Sequence, residues 1–160
     1  MSGRVPWILV CEDDDDDYLL LSRAIEASGC TLRLRRALDG EAVLPTLSGS
    51  LTEAGSDRIL PRFILMDLRM PRKDGKEALR DVKRHPEFRK IPVIVLTTSR
   101  YHGDIDRTYL DGANTFFTKP QDFKSLVFLM KQVCDYWAAA ALPSAPDCTE
   151  VGKAQNEEPT

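Results

Sequence analysis

Asp67 is the residue of this sequence whose surroundings best suit a chemical reaction. It follows the apolar run Phe63-Ile64-Leu65-Met66, and Met70-Pro71 and Asp74-Gly75 come soon after it. An apolar run that ends in a carboxylate predicts a buried strand with the acid at its C-terminal end. In open α/β sheets, ligands bind at that edge. We therefore expect Asp67 to be the reacting group.

Two further acids, Glu12 and Asp13, follow the first apolar run of the chain and begin an acidic stretch that continues to Asp17. If the first and third strands are neighbours in a parallel sheet, Glu12, Asp13 and Asp67 converge at one edge. Three carboxylates that converge at one edge repel each other and need a cation between them. Oxygen ligands without clustered His or Cys favour Mg²⁺ as that cation. The remaining acids of the stretch are interpreted as the N-terminal cap of a helix that begins near Asp15.

Hydroxyl and ammonium groups follow the last two predicted strands, as Thr97-Thr98-Ser99 and as Lys119-Pro120. A strand-end lysine that faces acids is interpreted as part of the site rather than as a solvated charge. Together these groups suit a phosphoryl group, whose oxygens Mg²⁺ and Lys119 would neutralise while a carboxylate attacks phosphorus.

Short apolar runs alternate with helix-period segments, which predicts βα units and a parallel sheet. The predicted strands are Trp7–Cys11, Leu32–Ala37, Phe63–Met66, Pro92–Thr97 and Thr115–Thr118. The predicted helices cover 15–28, about 40–48, 75–84, 104–111 and Phe123–Trp137. The expected fold is a doubly wound, five-stranded parallel α/β sheet with right-handed crossovers.

Three segments qualify this outline. Pro45 lies inside the second helical pattern and is expected to kink or split that helix. The stretch 48–61 is expected to be a long exposed loop. We expect one domain over residues 5–138 and a disordered polar tail over 139–160.

Composition sets limits on the function. The chain has 160 residues, 42% of them hydrophobic and 29% charged, and a formal net charge of −3, which gives no reason to expect nucleic acid or a membrane surface as partner. The longest N-terminal apolar run, residues 5–11, is too short for a membrane span, so we expect a cytoplasmic protein. The four cysteines show no metal spacing. The basic cluster Arg33, Arg35 and Arg36 is interpreted as solvated surface.

These motifs, in this order and spacing, resemble the receiver domains of two-component response regulators, which have a flavodoxin-like (βα)5 fold. The resemblance covers about residues 5–137 and implies a phosphoacceptor signalling domain, not an enzyme, which assists its own phosphorylation and dephosphorylation. It implies that Asp67 is the phosphoacceptor and that Mg²⁺ is bound by Glu12, Asp13, Asp67 and the Arg69 carbonyl. It also implies that Thr97 and Lys119 contact the phosphoryl group and that Thr97 and Phe116 act as the switch residues. Finally, it implies a cis peptide bond between Lys119 and Pro120.

A narrower likeness is to the stand-alone regulators of bacterial and cyanobacterial phytochromes. It rests on residues 91–99, the long loop before Phe63, and Tyr136-Trp137 with Leu142-Pro143. It implies a phytochrome-type histidine kinase as partner and a homodimer formed through the last helix and fifth strand. Thr98 stands where many receivers have Ala, which predicts narrower access to the phosphoryl group.

The last predicted helix is apolar on more than one face, so part of it is expected to contact a partner. The residues of this predicted partner face are Leu126, Phe128, Leu129, Val133, Tyr136 and Trp137.

Two other functions share parts of this pattern. A haloacid-dehalogenase-like phosphohydrolase also uses a strand-end Asp, Mg²⁺ and a lysine, but its general acid would stand at Arg69, whose side chain cannot do that work. A docking scaffold would keep the fold and dimerise without phosphorylation. A dinucleotide-binding module lacks its Gly-rich fingerprint after the first strand.

Overall fold

Five parallel strands form one sheet in the computed structural model, which describes residues 5–52 and 59–140. Their order across the sheet is β2-β1-β3-β4-β5. The strands are β1 (Trp7–Cys11), β2 (Arg33–Ala37), β3 (Ile64–Met66), β4 (Val93–Thr97) and β5 (Thr115–Thr118). The predicted doubly wound parallel sheet is confirmed. Because the chain moves from β1 out to β2 and then returns to β3, the order reverses between β1 and β3, where α/β sheets form their binding crevice.

Helices cover both faces of this sheet. They are α1 (Asp15–Ala27), α2 (Val43–Thr52), α3 (Gly75–Arg84), α4 (His102–Leu110) and α5 (Phe123–Ala139). One core cluster joins alternate strand residues such as Leu9 and Met66 to α2 and α3. The other joins Ile8 and Leu65 to α1 and α5. The period-two alternation of strand side chains therefore divides the core into two layers. The remaining helix, α4, contacts β5.

Strand register brings the functional segments to one edge. Cys11 pairs with Met66, Met66 pairs with Val95, and Thr97 pairs with Thr118. The residues that follow these strands, Glu12, Asp67 and Lys119, therefore leave the sheet at the same carboxyl edge.

Acidic caps begin three of the helices. The Asp14 carboxylate accepts a hydrogen bond from the Asp17 amide at 2.8 Å, and Asp74 and Asp122 cap α3 and α5 in the same way. The capping interpretation of the acidic stretch is therefore correct for Asp14.

The second helix differs from its prediction. It runs from Val43 to Thr52, so it occupies the first part of the segment that was expected to be a loop. The kink expected at Pro45 is also wrong. Pro45 is the third residue of α2, where a backbone N–H has no acceptor within the helix and its loss is harmless. Residues 53–58 of the predicted loop and 141–160 of the predicted tail lie outside the described residues.

Among the helices of the described ranges, none is both long enough and apolar enough to cross a lipid bilayer.

Candidate functional site

Backbone hydrogen bonds continue the sheet past the strand ends and fix the functional residues there. The Glu12 amide donates to the Ala37 carbonyl at 3.1 Å, and the Asp67 amide donates to the Cys11 carbonyl at 3.1 Å. On the other side, the Lys119 amide donates to the Thr97 carbonyl at 2.8 Å. The peptide planes on which these side chains stand are thus held by the sheet itself.

The Lys119 ammonium lies at the centre of the site. Its Nζ is 2.6 Å from Glu12 Oε2, 2.9 Å from Asp67 Oδ2 and 3.4 Å from Asp17 Oδ2. The side chains of Lys119, Glu12 and Asp67 are 15%, 3% and 10% exposed, so their ion pairs are only weakly screened by water. The structure therefore brings together Glu12, Asp67 and Lys119 from three different strands. Asp17, which the sequence had assigned to helix capping and solvent, joins them at longer range.

The electrostatics of this cluster follow from burial and pairing. Burial raises the pKa of Glu12 to about 7, and the Asp67 charge adds to that rise, while Lys119 opposes it. Burial alone would lower the pKa of Lys119, but its hydrogen bonds to Glu12 and Asp67 and their charges outweigh burial and raise it. Lys119 is therefore a permanent cation at neutral pH.

The third predicted acid does not join the cluster. Asp13 is exposed, and within residues 5–52 and 59–140 no three or more Asp, Glu, His or Cys side chains are arranged to hold a metal ion. Of the three carboxylates expected to converge, Glu12 and Asp67 come together on the Lys119 ammonium, and Asp13 stands apart from them. The oxygen donors still fit a hard cation. The buried carboxylates of Glu12 and Asp67 lie together, and Asp13, the residue next to Glu12, has an exposed carboxylate.

The loop after β3 folds back tightly against Asp67. The Arg69 amide donates to Asp67 Oδ1 at 3.1 Å, and the Gly75 amide donates to the Leu68 carbonyl at 3.0 Å. A Cβ atom on Gly75 would lie 2.0 Å from the carbonyl oxygen of Asp67, so only glycine fits there. The predicted turn at Asp74-Gly75 thus holds the Asp67 backbone in place, and Arg69 reaches the acid through its N–H.

The hydroxyl groups after β4 have different environments. Thr97 is fully buried, and its hydroxyl oxygen accepts a 3.5 Å contact from the Ser99 amide. The Ser99 hydroxyl donates to Asp104 on α4 at 2.6 Å, and Asp104 also pairs with Lys76 on α3. Thr98 is exposed and lines, with Lys119, a cavity of about 210 Å³. The Ser99, Asp104 and Lys76 contacts connect Thr97 to two helices, and no motif in the sequence pointed to them.

Phe116 lies on β5 and packs partly buried against the core layer of α2 and α3. Its backbone amide donates to the hydroxyl of Tyr109 on α4 at 3.1 Å. Sequence reasoning missed Tyr109, because its separation from Phe116 matches no motif and only the packing of α4 beside β5 brings the two together.

The predicted cis bond before Pro120 is wrong in this structure, since residues 5–52 and 59–140 contain no cis peptide bond. The trans form is the lower-energy isomer of an X–Pro bond. With the trans bond, Lys119 contacts both Glu12 and Asp67.

The comparison with known protein families agrees with this geometry. A model of the family described as "Response regulator receiver domain" matches residues 8–131. This chain belongs to that family. Glu12, Asp67 and Lys119 stand directly after β1, β3 and β5, as the sequence pattern predicted.

Individual relatives of this receiver domain support the assignment. The "Probable methanogenesis regulatory protein FilR2" of Methanothrix harundinacea is 39% identical over 130 residues, which cover 81% of this chain and 82% of FilR2. Response regulator Rcp1 of Synechocystis sp. is 33% identical over 139 residues, which cover 86% of this chain and 93% of Rcp1. This receiver domain therefore resembles relatives across nearly their full lengths.

Solved structures give the same result. The phosphorylated cyanobacterial phytochrome response regulator RcpA matches with a TM-score of 0.77 and 31% identity, covering 88% of this chain and 100% of RcpA. The Mn²⁺-bound form of Rcp1 matches with a TM-score of 0.71 and 30% identity, covering 87% of this chain and 100% of Rcp1. The chain is thus a receiver-type response regulator close to those of phytochromes, and receivers are signalling domains of two-component systems.

The last helix of this receiver domain only partly matches its predicted partner face. Leu126 and Val133 are buried in the core layer that α5 shares with α1, so their assignment to the partner face is wrong. Leu129 and Trp137 are partly buried against the same layer. Two of the predicted contact residues stand clear of the core, Phe128 at 64% exposed and Tyr136 at 66% exposed.

Proposed function

We propose that this receiver domain accepts a phosphoryl group on Asp67 from a histidine kinase. The observation that supports this most directly is the Lys119 ammonium, which lies within hydrogen-bond distance of both Glu12 and Asp67. The site stands at the point where strand order reverses, which is open to ligands. We further propose that residues 5–138 form the receiver unit.

In this mechanism, an Asp67 carboxylate oxygen attacks phosphorus and forms an acyl phosphate as the phosphorus–nitrogen bond to the donor histidine breaks. The donor imidazole leaves with the bonding electron pair. Lys119 already contacts Asp67, so its charge is in place to stabilise a new phosphoryl oxygen. Thr97, whose hydroxyl lies near the same edge, is proposed to donate to another phosphoryl oxygen.

Glu12, Asp13 and Asp67, with the Arg69 carbonyl, are the groups proposed to hold Mg²⁺. When bound, the cation would neutralise charge on the transferring phosphoryl oxygens. The similarity to Rcp1, whose Mn²⁺-bound form has been solved, supports the binding of a divalent cation. Because Glu12 and Asp67 both pair with Lys119 here, binding requires these ion pairs to be shared or rearranged.

We propose that the signal leaves the site through Thr97. A Thr97 hydroxyl drawn towards the phosphoryl group would leave its contact with the Ser99 amide, and Ser99 in turn binds Asp104 on α4. Phe116 is proposed to follow into the vacated space while its backbone is held by Tyr109. The result would be a shift in population between two packings of the protein, which differ in the surface formed by α4, β5 and α5.

The proposed partners are a phytochrome-type kinase and a second copy of this chain. The similarity to RcpA and Rcp1 supports the phytochrome-type kinase as a partner. The exposed aromatic rings of Phe128 and Tyr136 on α5 support the homodimer, since large exposed apolar side chains are available for contact with a second copy.

The test combines the protein with Mg²⁺ and acetyl phosphate and measures the intact mass. We expect one added phosphoryl group, lost in Asp67→Asn and retained in the control Asp16→Asn, which changes an exposed acid of α1. Equal labelling of Asp67→Asn would refute the assignment. Release of inorganic phosphate at a rate typical of enzymes would instead favour the phosphohydrolase alternative.

A further inference from the structure

Arg36, on the edge strand β2, holds the backbone of the acidic stretch. Its Nε donates to the Glu12 carbonyl at 2.9 Å, and its Nη2 donates to the Asp13 carbonyl at 3.1 Å. Its Nη1 pairs with the Asp15 carboxylate at 2.8 Å. One guanidinium group therefore contacts three residues of the stretch, and the interpretation of Arg36 as solvated surface is wrong.

The guanidinium is fixed from a second side. It stacks over the ring of Tyr18 on α1 at 4.4 Å from the ring centroid, and the Arg36 side chain is only 19% exposed. Stacking on an aromatic face and a planar set of donors are properties that lysine lacks. Arg36 thus connects β2, the strand end of β1 and the first turn of α1.

The position of these contacts matters for the site. Arg36 binds the backbone carbonyls of Glu12 and Asp13 and does not occupy the carboxylate of either residue. The chain has six consecutive acids from Glu12 to Asp17, whose mutual repulsion opposes one fixed arrangement of this segment. A guanidinium that binds two successive carbonyls counters that repulsion and sets the direction of both peptide planes.

We propose that Arg36 is a positioning residue for the divalent cation, acting through the backbone of Glu12 and Asp13. The inference rests on the proposed function, because it assigns Arg36 to the cation site of the phosphorylation reaction. Groups that orient metal ligands typically change metal affinity by about 10- to 100-fold when they are removed.

The charge of Arg36 and its hydrogen bonds have opposite effects on cation binding, which makes the proposal testable. If Arg36 acted only as a charge, its removal would strengthen Mg²⁺ binding, by about two- to threefold at low salt and less at high salt. If it positions the ligands, its removal weakens Mg²⁺ binding by about tenfold.

The experiment measures Mg²⁺ affinity by titration calorimetry for the wild type, Arg36→Ala and Arg36→Lys. Arg33→Ala is the matched control, since it removes the same charge from an exposed position of the same strand. We expect about tenfold weaker binding in both Arg36 variants and less than a twofold change in the control. Arg36→Lys keeps the charge and the stem, so it tests the hydrogen-bond geometry even if Arg36→Ala folds poorly.

Acetyl phosphate labelling gives a second readout. In the Arg36 variants, the Mg²⁺ concentration for half-maximal labelling should rise about tenfold, while the maximal rate at saturating Mg²⁺ stays near that of the wild type. Unchanged or tighter Mg²⁺ binding in both variants, or wild-type binding in Arg36→Lys, overturns the Arg36 inference alone. A wild-type protein that binds no Mg²⁺ and takes no phosphoryl group overturns the proposed function as well.

Discussion

The two ends of the sheet each hold a partly buried lysine, and the two lysines behave in opposite ways. At the carboxyl end, Lys119 faces the carboxylates of Glu12 and Asp67, which raise its pKa against the effect of burial. At the amino end, Lys83 donates to the carbonyls of Arg89 and Ile91 and to the amide oxygen of Asn114, at 2.8–3.3 Å.

Burial lowers the pKa of Lys83 to about 8, because its neutral partners do not offset the loss of water as a negative charge does. The partner groups, more than the burial, therefore decide the charge state. Of these two lysines, Lys119 is the one that stays charged over the whole range of physiological pH.

The largest expected effect is the difference in labelling rate between two variants in which one lysine is replaced by methionine. Lys119→Met should slow acetyl phosphate labelling of Asp67 by about 100-fold, because it removes a charged donor at the reacting oxygens. Lys83→Met should leave the labelling rate within about twofold, since only an effect on folding connects it to the site. Intact-mass time courses measure both rates, and a slow Lys83→Met protein that is fully folded would contradict the comparison.

One glycine at each end of the sheet allows a second comparison of the two ends. Gly75→Ala places a Cβ against the Asp67 carbonyl and should cost about 2 kcal/mol of unfolding free energy as well as slow labelling. At the other end, Gly112 has a φ of +105°, and an added Cβ would meet the Lys83 side chain at 2.9 Å. Gly112→Ala should therefore destabilise the fold with no effect on the labelling of the folded fraction. Urea unfolding and labelling rates, measured on the same samples, separate the two outcomes.

The pH dependence of stability should show the lowered pKa of Lys83. Below about pH 8 the folded state bears the full cost of a charged, partly buried Lys83. Between about pH 8 and 10.5 the folded protein releases this proton before the unfolded chain does, so stability from this group rises with pH. After allowance for solvent screening, the rise should be about 1–2 kcal/mol. Urea unfolding of the wild type minus that of Lys83→Met gives the contribution directly, and a flat difference would contradict it.

The smallest expected effect is at Lys119. Because the raised pKa keeps it charged, labelling at saturating Mg²⁺ should change less than about twofold between pH 7.5 and 9.5. A steep loss of labelling over this range, absent from the Lys119→Met protein, would show that its ammonium titrates there.

The sequence predicted much of the fold because the relevant patterns are local. Apolar runs predicted the strands to within one residue, and the residue after a strand has to lie at the edge of the sheet. This local rule predicted Glu12, Asp67 and Lys119, which the structure brings together. The start of α2 was placed too early, and that error turned Pro45 from a harmless first-turn residue into an expected kink.

The remaining errors concern side-chain directions across long sequence separations. Arg36 looked solvated because nothing in β2 alone shows that its side chain crosses to the end of β1. Leu126 and Val133 were assigned outward because a helix that is apolar on several faces does not reveal which face contacts the sheet. Asp13 and Lys119 illustrate the same difficulty, since the sequence cannot show which of two cations, a metal ion or an ammonium, pairs with the acids.

The contact between Lys119 and Glu12 joins residues 107 positions apart in the chain. During synthesis on the ribosome, Asp67 emerges long before Lys119 does. A nascent chain that ends before β5 lacks the ammonium that completes the site, whichever of its earlier elements have folded. Under the proposed function, a chain therefore becomes competent for phosphorylation in one late step of translation, after Lys119 has emerged.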